Sequence, residues 1–198
     1  MASHATTHAH QVCVVGDELV AGVGDQRGLG WVGRVAAANP LEPPAEYYQL
    51  AVPGETTAHL TARWQVEVAR RFTPGRVHHL VFAPGIADIL AGVSLARSRL
   101  NVANALDAAM GLRYPVAVVG PPPAPYDMRD AIGELSHALA DVAGRRGITF
   151  VDTFTPLVTH EQWIQDLKAG DGHHPGQAGY GLMAWLVSNA GWERWLTS

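Results

Sequence analysis

The sequence predicts a three-layer α/β/α sandwich around an open, parallel sheet of about five strands. Short apolar runs alternate strictly with longer amphipathic stretches along all 198 residues. Three of the runs are almost continuous Val, Ile, Leu and Phe, as expected of strands covered on both faces. No repeat, linker or composition change divides the chain, so we expect one domain spanning residues 11–198.

The predicted strands are the apolar runs, each too short for a helix and bounded by turn residues. Right-handed crossovers between them favour a doubly wound sheet with a strand order of flavodoxin type. The runs are QVCVVG (11–16), EYYQLAV (46–52), VHHLVFAP (77–84), YPVAVVG (114–120) and GITFVD (147–152).

Helical patterns fill the intervals between the strands. In 56–72, threonines supply an N-cap, and Leu60, Trp64 and Val68 recur every four residues on one helix face. Asn39-Pro40 is a stop signal for the helix before it. The predicted helices are 28–38, 56–72, 88–110, 126–147 and 161–170, with a final one inside 171–191 after a loop.

Composition excludes several function classes. The net charge is −4 and the 14 Lys and Arg are scattered, so a nucleic-acid partner is not expected. The single cysteine, Cys13, lies in an apolar run and is interpreted as a buried, inert thiol. No apolar stretch is long enough for a membrane helix and no signal-peptide core precedes the domain, which predicts a cytoplasmic protein without a membrane partner. Residues 1–10, with three histidines, are expected to be a flexible tail rather than a metal site.

Polar residues follow several predicted strands. Because parallel strands all end at the same edge of the sheet, we expect these residues to meet there, where ligands of such sheets bind. The proline-rich segment 118–127 follows the fourth strand on that edge. The other segments brought there are 16–18, 53–56, 84–88 and 171–175.

Four motifs at this edge occur in a fixed order: Gly16-Asp17-Glu18-Leu19, then Gly54, then Gly85-Ile86-Ala87-Asp88, then Asp171-Gly172-His173-His174-Pro175. This arrangement resembles the SGNH, or GDSL, hydrolase family over nearly the whole chain. Family members carry Gly-Asp-Ser-Leu, a glycine, Gly-x-Asn-Asp and Asp-x-x-His-Pro at these places. The resemblance implies a histidine–aspartate pair at His174 and Asp171, and oxyanion donors at the N–H groups of Gly54 and residue 18.

Two departures affect the residues that perform the family's chemistry. Glu18 occupies the position of the serine nucleophile, and Ala87 that of the oxyanion-hole asparagine. A missing oxyanion donor typically costs about 100- to 1,000-fold in rate, and a carboxylate near the hole repels the charge that acyl transfer develops there. Ordinary serine esterase activity is therefore not expected. Ser94, Ser98 and Ser136 lie within predicted helices and do not replace the nucleophile.

Three functions remain open. In the first, Glu18, His174 and Asp171 form a repurposed site for a small organic substrate, through isomerisation, cyclisation, elimination or hydration, or through attack of the carboxylate on a saturated carbon. Tailoring of a secondary metabolite would fit such a divergence. In the second, the protein is an inactive pseudoenzyme that binds a ligand. In the third, it is a weak ester hydrolase that activates water directly. None of the three calls for a cofactor or a metal, and the sequence leaves the oligomeric state open.

The remaining candidates have simpler interpretations. Asp17 and Asp88 each precede or open a helix, which favours capping over catalysis. His173 is expected to face solvent, while His78 and His79 are expected to be structural. The segment 22–31 is rich in glycine without phosphate-loop spacing, and we expect it to form a flexible rim from which Arg27 could meet an anionic substrate group.

Overall fold

The computed structural model describes residues 9–124 and 126–197. Five parallel strands form one sheet in the order β2-β1-β3-β4-β5. The predicted fold class, strand count and strand order are confirmed, and the ends of the strands differ from prediction by up to two residues. The strands are β1 (His10–Gly16), β2 (Glu46–Ala51), β3 (Val77–Ala83), β4 (Val116–Val119) and β5 (Thr149–Val151).

Helices connect and cover the strands as the amphipathic stretches predict. One predicted helix, 88–110, is divided in two because Gly92 adopts a left-handed φ of 65° and Ser94 then caps a new helix by accepting the N–H of Arg97. The helices are α1 (Glu18–Ala21), α2 (Gly30–Ala38), α3 (Thr57–Ala69), α4 (Ala87–Leu90), α5 (Leu95–Gly111), α6 (Arg129–Gly144), α7 (Phe154–Leu157), α8 (Glu161–Ala169), α9 (Gln177–Asn189) and α10 (Trp192–Leu196).

The core has one layer on each face of the sheet. Along β1, Val12 and Val14 enter the layer shared with α2 and α9, whereas Cys13 and Val15 enter the layer shared with α3, α5 and α6. Burial raises the pKa of the Cys13 thiol to about 12, which keeps it protonated and unreactive. The alternation explains why the runs are apolar at every position.

The first strand begins earlier than predicted. His10 is its first residue and stacks on the fully buried His79, with 2.9 Å between His10 Nδ1 and His79 Nε2. Ala9 is also buried. The tail predicted for residues 1–10 therefore extends two residues too far into the fold, because a buried ring partner and strand pairing order this end. Residues 1–8, with two of the tail histidines, lie outside the described residues.

The described ranges hold neither a membrane-spanning helix nor a metal-binding cluster. Within residues 9–124 and 126–197, no helix has the length and apolar character needed to span a membrane. Within the same ranges, no cluster of three or more His, Cys, Asp or Glu side chains has a metal-binding arrangement.

Candidate active site

Glu18 begins α1 at the carboxyl end of β1. A side chain on Gly16 would lie 2.1 Å from the Ala83 carbonyl oxygen, so only glycine allows β1 to end so close to β3. The Asp17 side chain then caps α1 by accepting the Leu19 N–H at 3.0 Å, as predicted. This turn directs the Glu18 carboxylate across the sheet edge, where its Oε2 accepts the N–H of Gly54 at 2.8 Å.

The Gly54 loop is held by an arginine that the sequence analysis missed. Arg63 of α3 forms an ion pair with the buried Glu55 and donates to the carbonyl oxygens of Leu50, at 2.9 Å, and Gly16, at 3.3 Å. One guanidinium thus joins the ends of β1 and β2 to the residue after Gly54. It therefore tethers the loop that carries Gly54 to the end of β1, the strand that leads to Glu18.

His174 and Asp171 form a second hydrogen-bonded unit beside Glu18. Asp171 Oδ2 lies 2.6 Å from His174 Nδ1, and its Oδ1 accepts the N–H groups of His173 and His174 at 2.8 Å each. The bond to the imidazole, followed by the two backbone bonds, holds the pKa of Asp171 well below its usual range. The carboxylate therefore stays ionised and orients the ring. His173 is exposed to solvent, as expected, but it also lines the cavity beside Glu18, which was not expected.

The free imidazole nitrogen faces Glu18. His174 Nε2 is 3.8 Å from Glu18 Oε1, which is beyond direct hydrogen-bond distance. Each of these two side chains is 25% exposed, so both are reached by solvent-sized molecules. The structure therefore brings together four predicted residues, Glu18, Gly54, Asp171 and His174, with one oxygen of Glu18 occupied and the other open.

Asp17 lies beneath this group and is buried. A side chain on Gly85 would overlap its Oδ2, at 1.6 Å, so Gly85 makes room for the carboxyl. Burial, followed by the charge of Glu18, raises the pKa of Asp17 to about 7. Helix capping accounts for its position, and the raised pKa means that this carboxyl changes its protonation state near neutral pH.

A cavity of about 160 Å³, which we call the active-site cavity, opens beside Glu18 and His174. Its volume suits a small organic group beside the Glu18 carboxylate. Its walls include Asp17, Glu18, Leu19, Gly85, Ile86, Leu90, Pro121, Pro122, Ala124, His173 and His174.

Other predicted residues lie elsewhere. Ala87 is buried at the start of α4 and does not line the active-site cavity. Arg27 is exposed in the loop before α2 and does not reach the cavity either. Asp88 does not cap its own helix: it accepts the Thr57 N–H at 2.8 Å and the Thr57 hydroxyl at 2.5 Å, and so links α4 to the start of α3. Its expected capping role is therefore corrected, because its carboxyl points toward α3.

The glycine-rich segment is held by a carboxylate rather than forming the loose rim that we expected. Asp25 accepts the N–H groups of Arg27, Leu29 and Gly30 and forms an ion pair with Arg34. The hydrogen bond from Arg34, followed by the backbone bonds, lowers the pKa of Asp25 to about 2. An aspartate side chain that accepts the N–H two residues later forms an Asx-turn. The presence of Asp25 within this segment was therefore the sequence signal for an ordered loop.

This segment also packs against the histidine. Gly24 has a φ of 93°, and a side chain there would lie 2.7 Å from the Pro175 carbonyl oxygen and 2.9 Å from His174 Cβ. Gly24→Ala should therefore lower the free energy of unfolding by about 1–3 kcal/mol and displace the imidazole, as measured by chemical denaturation and by the histidine NMR signals.

Gly28→Ala is the matched control, since Gly28 has a φ of 65° but no atom lies within 4 Å of the place that a Cβ would take. Gly28→Ala should lower the free energy of unfolding through backbone strain alone and should leave the His174 imidazole in place. Equal stability losses and unchanged histidine signals in both variants would contradict a packing role for Gly24.

The chain matches one known protein family over most of its length. The model of the GDSL-like lipase/acylhydrolase family matches residues 14–182, which include Glu18, Gly54, Ala87, Asp171 and His174. The chain belongs to this family. No curated protein sequence matches significantly.

Solved structures of GDSL-like proteins share the fold at low sequence identity. A lipase/acylhydrolase from Enterococcus faecalis gives a TM-score of 0.77 at 21% identity, over 93% of this chain and 96% of that one. A member of the lipolytic G-D-S-L family from Veillonella parvula gives 0.77 at 22%, over 91% and 97%. The psychrotrophic esterase EstA from Pseudoalteromonas sp., in a structure inhibited by monoethylphosphonate, gives 0.72 at 16%, over 95% and 99%.

Proposed function

We propose that the protein is a displacement hydrolase in which Glu18, at the position of the family's serine, attacks a saturated carbon that carries a leaving group. Small alkyl halides and epoxides are the substrate class. The observation that carries the proposal is the unequal environment of the two Glu18 oxygens. Oε2 accepts the Gly54 N–H at 2.8 Å, whereas Oε1 lies 3.8 Å from His174 Nε2, and the Glu18 side chain lines the active-site cavity.

The first step needs an anionic oxygen close to a small electrophile. Glu18 Oε1 would form a bond to the substrate carbon while the carbon–halogen bond breaks and halide departs with its electron pair. With an epoxide, the ring oxygen leaves as an alkoxide and takes a proton from solvent. The product of this step is an ester of Glu18, whose carbonyl oxygen is Oε2.

The second step uses the histidine–aspartate pair. His174 Nε2 would take a proton from water, whose oxygen attacks Cδ of Glu18, while Asp171 stabilises the charged ring. Negative charge then develops on Oε2, beside the Gly54 N–H that already donates to it. Such a donor is typically worth about 100- to 1,000-fold in rate. The Cδ–Oε1 bond breaks, His174 returns the proton, and an alcohol leaves.

The same geometry gives less support to the other functions. A direct proton relay between Glu18 and His174 needs a hydrogen bond, and the 3.8 Å separation is too long for one. Acyl transfer in the family's manner needs the Gly54 N–H for the substrate oxyanion, but the Glu18 carboxylate accepts that bond. Both considerations favour chemistry on the carboxylate itself.

Isotope labelling tests the covalent step. In H₂¹⁸O, with enzyme in excess over 1-bromobutane or 1,2-epoxybutane, the first alcohol product should contain no ¹⁸O and the peptide with Glu18 should gain it. Mass spectrometry of the product and of the digested protein measures both. His174→Gln should accumulate a mass adduct on Glu18, because the water for the second step is no longer activated.

Glu18→Gln is the matched control, since its neutral amide keeps the size of the side chain but removes the nucleophilic charge. It should form no adduct and no product. Release of ¹⁸O-labelled alcohol in the first turnover would mean that water attacks the substrate directly and would overturn the covalent proposal.

A further inference from the structure

A second cavity, larger than the active-site cavity, lies elsewhere in the described part of the chain. It has a volume of about 430 Å³ and lies between the proline-rich loop after β4 and helix α8. We call it the apolar cavity, since Pro123, Val158, Trp163, Ile164 and Leu167 supply most of its wall. Its volume falls within the range of small-molecule sites, about 300–1,000 Å³.

The wall of the apolar cavity is fixed by a buried hydrogen bond. Trp163 is 1% exposed, and its indole N–H donates to the Pro123 carbonyl oxygen at 2.8 Å. This bond joins α8 to the loop on the other side of the cavity. It also satisfies the polar atom of the tryptophan, so the ring contributes apolar surface and a rigid boundary.

Two cations line the same cavity. Arg129 comes from the first turn of α6, and Lys168 comes from the last turn of α8. Lys168 is the single lysine in the sequence. Among the described residues, neither cation forms an ion pair and no carboxylate lines the cavity, whereas seven arginines elsewhere are paired.

We infer that the apolar cavity is a second binding site, specific for a small apolar molecule that carries one carboxylate. The apolar body would lie against Trp163 and Ile164, where removal of its surface from water favours binding. The carboxylate would meet Arg129 and Lys168 at the rim, where guanidinium groups bind carboxylates by paired hydrogen bonds. The inference uses no residue of the catalytic group and is independent of the proposed function.

The single lysine provides a direct reporter. Reductive methylation with ¹³C-formaldehyde labels one side chain, Lys168, besides the amino terminus. Titration with sodium octanoate should shift the dimethyl-lysine NMR signal in a saturable manner, and calorimetry on the unlabelled protein should give the same affinity. Octylammonium, with the same apolar chain and the opposite charge, should leave the signal unchanged.

Variants distinguish recognition of the carboxylate from nonspecific apolar binding. Arg129→Gln combined with Lys168→Gln should weaken octanoate binding at least about tenfold, measured by calorimetry. Arg97→Gln, at an exposed arginine outside the cavity, is the matched control and should bind as the unaltered protein does. Glu18→Gln should also bind normally, which keeps this test distinct from that of the catalytic proposal. Equal binding of octanoate and octylammonium, or unchanged affinity in the double variant, would overturn the inference.

Discussion

Glu18→Ser should raise the serine esterase activity of the protein well above that of the unaltered chain. The side chain at residue 18 starts α1 beside an intact His174–Asp171 pair, with the Gly54 N–H across from it. Serine would vacate the position of the carboxylate and leave that N–H free for a substrate oxyanion. Hydrolysis of p-nitrophenyl acetate and labelling by a fluorophosphonate probe would measure the gain.

The expected gain in esterase rate follows from two opposing effects, the restored serine and the missing asparagine donor. Loss of a triad serine or histidine costs about a million-fold in kcat. Absence of an asparagine donor, at the position that we assign to Ala87, costs about 100- to 1,000-fold. Glu18→Ser should therefore exceed Glu18→Ala by roughly 1,000-fold or more.

Three results would identify the new activity as triad chemistry. The fluorophosphonate should attach to residue 18, the unaltered protein should not be labelled, and adding His174→Ala should remove the activity. Labelling of the unaltered protein at Ser94, Ser98 or Ser136 would show that the nucleophile lies elsewhere and that Glu18 does not hold the serine position.

The strands and the convergence of the candidate site residues could be predicted from the sequence on physical grounds. A parallel sheet brings the ends of its strands to a single edge, so motifs far apart in the chain, at Glu18, Gly54 and His174, must converge. The resemblance to the SGNH family then singled out Glu18, Gly54 and His174 among the residues expected at that edge. The split between α4 and α5 was missed because the helical pattern continues across Gly92, whose left-handed backbone ends α4.

The supporting contacts were not predictable in the same way. Arg63 reaches Gly16 across 47 positions of sequence, and nothing in the local pattern of α3 distinguishes it from the exposed arginines nearby. Asp17 was interpreted correctly as a cap, but its burial depends on the close approach of Gly85 from the loop that follows β3. Contacts of this kind depend on side-chain geometry, which hydrophobic periodicity does not contain.

Asp17→Asn should stabilise the protein strongly at alkaline pH. Burial raises the pKa of Asp17 from 3.8 to about 7, so the folded chain binds this proton more tightly than the unfolded chain. That contribution to stability is complete below pH 3.8 and is lost as the pH rises to about 7. At about 1.4 kcal/mol per pKa unit, the ionised carboxyl costs on the order of 4 kcal/mol at pH 8.

Asparagine removes that cost because it cannot ionise, while its side-chain oxygen can still accept the Leu19 N–H. Urea denaturation should show Asp17→Asn more stable than the unaltered protein by several kcal/mol at pH 8 and nearly equal to it at pH 4. Asp152→Asn is the matched control, since Asp152 also accepts backbone N–H groups at the start of a helix, α7, but lies outside the candidate active site. A stability difference for Asp17→Asn that is the same at both pH values would show that the effect comes from altered packing against Gly85 and not from ionisation.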